Sequence, residues 1–339
     1  MNLPSDGGAS SNRTDPAAGM RISESVAGWL FCSPWLLGFL LLFAWPFAAS
    51  LYWSFCQFDL INPPSWVGWQ NYRRLAEEIG TSQGFGLALT NTLYFSLLSV
   101  PLSVALGVGL AILLSAPVRG QAMFRTLVFV PSVIPVVAAS VLWLWLLDPQ
   151  AGLVNWLLSW FGIEPQNWLN QSRSALSPEG LRVLINHWNG QPLKLAGSKD
   201  ALILMTLWGV GNFVVIYLAA IGDIPRALFE AADIDGAGVW RKIWHVTLPM
   251  LTPVIFFNLV MGLIRSVQTF ASIYVLSEGT GQPGGSMLML SLQMFLAAFS
   301  DFELGYASAM AWVLFVLLSF ATWSLFRTSR YWVHYRAAV

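Results

Sequence analysis

Arg265 is the residue whose chemistry stands out. It interrupts a long apolar run, within Gly262-Leu263-Ile264-Arg265-Ser266-Val267-Gln268-Thr269. A guanidinium in the middle of a membrane span costs at least ~2.5 kcal/mol unless it is hydrated or paired. No Asp or Glu lies mid-span elsewhere in the chain to pair with it. Two readings stay open. Water, backbone carbonyls or another subunit meets the charge, or the charge meets an anionic ligand group. Asn212, Tyr217, Asn258, Gln268 and Thr269 are the other polar side chains set in apolar surroundings. Planar amides and hydroxyls can hydrogen-bond a polar solute, which makes these residues candidates for a passage. Each taken singly serves equally as an interhelical hydrogen bond, worth ~0.6 kcal/mol on average.

Other chemistries are excluded by the residues that would carry them. Lys194, Lys199 and Lys242 follow Leu193, Ser198 and Arg241, so no phosphate-binding loop ending in Gly-Lys exists. His187, His245 and His334 lie outside the apolar runs, and none begins a His-Glu-x-x-His zinc site. Cys32 and Cys56 would stand about 36 Å apart on one helix, too far to bridge. The expectation is a chain with no catalytic residue, no metal and no cofactor of its own. Without intramembrane carboxylates, it also lacks the usual equipment of an ion-coupled carrier.

Composition fixes the elements that position these residues. The chain of 339 residues is 56% hydrophobic and only 10% charged, with 18 Trp and 22 Phe; a soluble domain carries about 25% charged residues. Zero net charge gives no reason to expect a nucleic-acid partner. A hydrocarbon core needs about 20 apolar residues as helix, and six segments qualify, at roughly 28–54, 91–115, 126–147, 200–221, 251–276 and 305–326. Hydrogen-bond saturation of the backbone in lipid makes them helices. The expected fold class is an all-α membrane protein of six transmembrane helices. Its domains would be a disordered cytoplasmic N-terminus, 1–26, and a six-helix transmembrane domain, 27–335. The first apolar run exceeds the core of a signal peptide and reads as an uncleaved anchor. Arg119, Arg125, Arg226, Arg241, Lys242, Arg327 and Arg330 gather on one side, which places both termini in the cytoplasm. An outer insert, 149–199, is rich in turn signals.

One polar loop, 223–249, lies between the fourth and fifth spans, on the cytoplasmic side. Pro225 opens a short helix at a position where its missing N–H has no partner to lose. Gly236 fits the left-handed residue that ends it. A second helix is expected from about Gly238 to Val246, with His245 near its C-terminus. Leu228, Phe229, Ala232 and Ile234 form an apolar ridge. Such a helix either lies in a partner's groove or rests as a re-entrant hairpin on its own bundle.

The spacing Glu230-Ala231-Ala232, three residues, Gly236, nine residues, Val246, one residue, Leu248-Pro249 resembles the signature loop of binding-protein-dependent ABC importer permeases. Val246 stands where Ile is commoner. Further stretches resemble the maltose and glycerol-3-phosphate type of sugar permease. They are Val67-Gly68-Trp69-Gln70-Asn71-Tyr72, Asn91-Thr92-Leu93, Phe124-Arg125-Thr126, Gly152-Leu153-Val154-Asn155, Gly305 through Trp312, and Arg330-Tyr331-Trp332-Val333. The insert at 165–198 and the region from Glu278 to Met289 depart from that pattern. The resemblance implies a permease subunit in a bacterial or archaeal inner membrane, with Glu230–Pro249 docking on an ATPase. It implies a second permease, two ABC ATPase subunits holding ATP–Mg, an extracytoplasmic solute-binding protein, and alternating access for a carbohydrate. Within the same system the alternative cargo is a sugar phosphate or an acid sugar, if Arg265 meets the ligand; an independent secondary carrier, or a membrane scaffold, leaves the loop spacing unexplained.

Overall fold

The computed structural model describes residues 24–81, 83–117, 119–172, 174 and 197–334. The expected disorder up to residue 23, and most of the insert at 165–198, lie outside the described residues. The chain divides into two units between Tyr52 and Trp53.

The first unit is helical. Helix α1 (Glu24–Phe39) passes through a π turn, Leu40–Ala44, into α2 (Trp45–Ser54). No charged residue interrupts 26–54, so the backbone of this stretch is satisfied by itself when in lipid.

The second unit begins with a small hairpin of β1 (Cys56–Gln57) and β2 (Ser65–Trp66), antiparallel with Cys56 opposite Trp66. Helix α3 (Gln70–Glu78) follows. Asn71 Nδ2 donates to Ser54 O at 2.9 Å and to Cys56 O at 3.0 Å, clamping α3 to the hairpin.

Helix α4 (Gly84–Ser115) has 32 residues; at ~1.5 Å per residue it is about 48 Å long and exceeds the ~30 Å hydrocarbon core. It is followed by α5 (Gln121–Phe129), α6 (Val136–Leu146), α7 (Leu153–Ser159), α8 (Ser198–Trp208) and α9 (Gly211–Gly222). Then come α10 (Arg226–Ile234), α11 (Val239–Lys242), α12 (Leu248–Val267), α13 (Ala271–Leu276), α14 (Leu290–Phe295) and α15 (Leu304–Trp332). Helix α4 is the axis of the unit, packing on α3, α8, α9, α12 and α14. Close packing uses missing side chains: a Cβ on Gly262 would lie 3.1 Å from Val100 Cγ1, and one on Gly211 would lie 2.4 Å from Val128 O.

The six expected spans correspond to four long helices and two bent helix pairs. Among the described residues four helices are long and apolar enough to cross a membrane: Gly28–Ser54, Gly84–Ser115, Val239–Val267 and Leu304–Trp332. The count reaches six if each of two bent pairs is one span. Between Val133 and Val136 the chain turns by 102°. Pro135 forces Ile134 into an extended conformation, φ −68° and ψ 130°, which no α-helix accepts. The fourth span bends by 42° where Gly209 and Val210 separate α8 from α9. The fifth differs at both ends from 251–276. It starts at Val239, because a π turn at Ile243–Thr247 carries the helix past the donor-less Pro249. It stops at Val267, and α13 is a separate element. The expected second loop helix is therefore the start of the fifth span, and His245 sits within its π turn.

Candidate functional site

The loop helix α10 is built as its sequence dictates. Pro225 precedes it and Gly236 follows, with φ +69°. Gly236 N donates to Asp233 O at 3.0 Å and Ala237 N to Ala232 O at 2.8 Å. These two bonds are the paired closure that satisfies the last carbonyls of a helix around a left-handed residue. No heavy atom lies within 4 Å of where a Gly236 Cβ would be, so the glycine serves backbone conformation and not close approach within this chain. An ion pair between Lys242 and Asp233 spans the turn and joins α11 to α10.

No residue of α10 is buried. Glu230 and Ala231 are exposed and Ala232 half-buried. Ile234 is 88% exposed, Val239 72% and Trp240 75%. An apolar edge of this kind, bare of its own bundle, is a surface and not a core. Val246, Leu248 and Pro249 are half-buried, and Leu248 packs on the cluster of Val104, Val108, Val214 and Leu251.

At its other end the same helix reaches Arg265, in the last turn of α12 and not at mid-span. Two cavities share Arg265, Thr206, Gly209 and Thr269 in their walls. The smaller, about 170 Å³, adds Ser99, Ser103, Phe213 and Asn258; the larger, about 680 Å³, adds Ser132, Trp208, Gln268 and Phe270. Of the six polar residues read from the sequence, Asn258, Arg265, Gln268 and Thr269 are thus brought together. Asn212 is exposed on α9 and lines neither cavity. Tyr217 is fully buried, and its ring packs against Gly107 of α4.

The site also contains residues that sequence reasoning missed. Ser99 and Ser103 are at least nine-tenths buried, and their hydroxyl oxygens have no hydrogen-bond partner among the described residues. Thr206 Oγ1 donates to Leu202 O at 2.8 Å and Ser132 Oγ to Phe129 O at 2.7 Å. Such hydroxyls look apolar in a hydropathy pattern because their proton is used inside their own helix. The breaks at Gly209 and Pro135, beside the cavity, were the available signal.

Residues 103–329 match the family of the binding-protein-dependent transport system inner membrane component. The chain belongs to this family. Among its relatives within the permeases is the probable ABC transporter permease protein YesP of Bacillus subtilis, 36% identical over 93% of this chain and 94% of that protein. The sulfoquinovosyl glycerol transport system permease protein SmoG of Agrobacterium fabrum is 29% identical over 87% of this chain and 88% of its own. The fold is that of a permease chain in a bacterial alginate ABC transporter crystallised with an alginate pentasaccharide-bound periplasmic protein. The TM-score is 0.71 at 24% identity, covering 90% of this chain and 94% of that one.

Three asparagines outside these two cavities are tied to backbone. Asn91 Nδ2 donates to Gly285 O at 2.8 Å and Leu288 O at 2.9 Å, and Thr92 Oγ1 accepts from Leu290 N. Asn155 Nδ2 donates to Gln166 O at 2.9 Å, while its Oδ1 accepts from Gln166 N and Trp168 Nε1, each at 3.0 Å. With Asn71, these residues lie in the stretches that resemble sugar permeases, and all three hold loop backbone in place.

Proposed function

We propose that this chain is one of two permease subunits of an ABC importer of the inner membrane, and that its cargo is a carbohydrate. The observation that carries the reading is α10: a short helix closed at Gly236, carrying Glu230-Ala231-Ala232, with its apolar residues Leu228 and Ile234, and Trp240 of the adjoining α11, left uncovered. A rigid, bare helix of this kind is a docking element. In this reading it sits on the cytoplasmic face, in a cleft of an ATP-hydrolysing partner that binds ATP–Mg. An extracytoplasmic solute-binding protein delivers the cargo, and closure of two ATPase subunits drives alternating access.

The carbohydrate part is supported by the cavity walls and by the relatives' names. Ser, Thr, Asn and Gln beside Trp208, Phe213 and Phe270 supply hydrogen bonds and flat apolar faces. One relative is named for sulfoquinovosyl glycerol, and the structural neighbour carries alginate.

The test is a mild-detergent pull-down of the tagged chain from its own membrane, with partners identified by mass. A P-loop ATPase and a second permease are expected. Recovery of the chain alone, active in liposomes without ATP, would overturn the proposal in favour of an independent carrier.

A further inference from the structure

We propose that Arg265 selects carbohydrates that carry a carboxylate. This deepens the carbohydrate reading above and rests on it. Arg265 is the one charged residue in the walls of either cavity, and neither wall includes an Asp or Glu. Its guanidinium has no ion pair or hydrogen bond among the described residues; the Phe213 ring, with its centroid 6.0 Å from Cζ, is its nearest counter-group. That distance is at the outer limit of a cation–π contact.

The helix end does not neutralise the charge either. A cation in the last turn gains from free carbonyls, but three of the last four are engaged. Ile264 O accepts from Gln268 N, Ser266 O from Thr269 N, and Arg265 O from Thr269 Oγ1 at 3.0 Å. The guanidinium therefore keeps all five of its N–H donors for whatever enters the cavity.

The rest of the wall suits the body of a sugar. Thr206, Thr269 and Ser132 spend their protons on backbone oxygens, so their lone pairs accept from sugar hydroxyls. Ser99 and Ser103 are buried around the smaller cavity with hydroxyl oxygens unpartnered among the described residues. Such atoms are costly to leave unmatched, and they call for water or a hydroxylated ligand. A neutral sugar would satisfy these groups and leave Arg265 bare. A uronic acid satisfies both, because carboxylate and guanidinium meet through two parallel charge-assisted bonds.

The experiment uses the complete importer in proteoliposomes, with saturating binding protein and ATP. The two probes are a disaccharide bearing one uronic acid and the same disaccharide with that carboxyl reduced to the alcohol. The expected result is that R265Q lowers the acid-to-neutral uptake ratio about tenfold, and that R265K restores part of it. An unchanged ratio, or equal loss for both probes, overturns the selectivity while the carbohydrate reading stands. A wild-type importer that carries neither probe overturns both.

Discussion

The Tyr217 ring lies on the strip of α4 left bare by Gly107: a Cβ at Gly107 would sit 3.1 Å from Tyr217 Cε2. The contact joins α4 to α9 in the cluster that also holds Val104, Val214 and Leu251. Gly107→Leu should overpack this seam at a cost of ~1–3 kcal/mol. Gly109, two residues along, has nothing within 4 Å of its Cβ position, and Gly109→Leu should be neutral or stabilising, since glycine is a poor helix former. The check is the fraction of each variant that stays monodisperse in detergent after a heating series. Equal behaviour of the two would remove the seam from the account.

Gly236 tests the docking role. At φ +69° a β-branched residue is strained by roughly 1–2 kcal/mol. Proline cannot adopt that conformation at all, and it removes the N–H that bonds Asp233 O. Gly236→Pro, and independently Glu230→Lys, should leave the chain inserted at normal amount while ATP hydrolysis no longer drives uptake. Normal transport by both variants would discard the loop as the coupling element.

Asn155 predicts a local and not a global effect. Asn155→Ala strands Trp168 Nε1 and the Gln166 amide, which are buried donors, at about 1–3 kcal/mol. Protease cleavage between residues 149 and 172 should become faster, with the amount of inserted chain unchanged. Asn155→Asp keeps the acceptor and loses the donor, and should fall between the two.

Asp148 gives a pH dependence. Its carboxylate accepts from Ala151 N at 2.8 Å and Gln150 N at 2.9 Å, and these backbone bonds hold its pKa below the ordinary carboxylate value. A depressed pKa means that the turn's stabilisation is complete above the unfolded value, near pH ~4. It is lost as pH falls through the lower folded value. Amide exchange at Gln150 and Ala151 should accelerate only in that acid window, and Asp148→Asn should remove the pH dependence.

The family was legible because its marks are local. Glu230, Gly236 and Pro249 need only spacing, and Gly236 ends its helix as that spacing predicts. Arg265 was legible because charge in an apolar run is conspicuous. The fifth span was misread at both ends: a π turn has no simple sequence mark, and the break at Gln268-Thr269 is only two polar residues before the apolar run resumes at Phe270. The apolar helix Leu290–Phe299 was passed over because it is too short to register as a span. Asn71, Asn91 and Asn155 were noticed as motif letters, but their partners are backbone carbonyls and amides, which no sequence displays. For Asn91 those partners lie nearly two hundred residues away.

Trp240 and Arg265 share one unbroken helix, Val239–Val267, and at ~1.5 Å per residue they stand about 37 Å apart along a common shaft. The π turn at Ile243–Thr247 then acts as a phase setting. Each residue of a helix advances the azimuth by about 100°. Deleting one residue there would leave both ends chemically whole and turn Trp240 and Arg241 by that angle relative to Arg265. A chain shortened in this way would carry every part of the machine with its two ends aimed at the wrong neighbours.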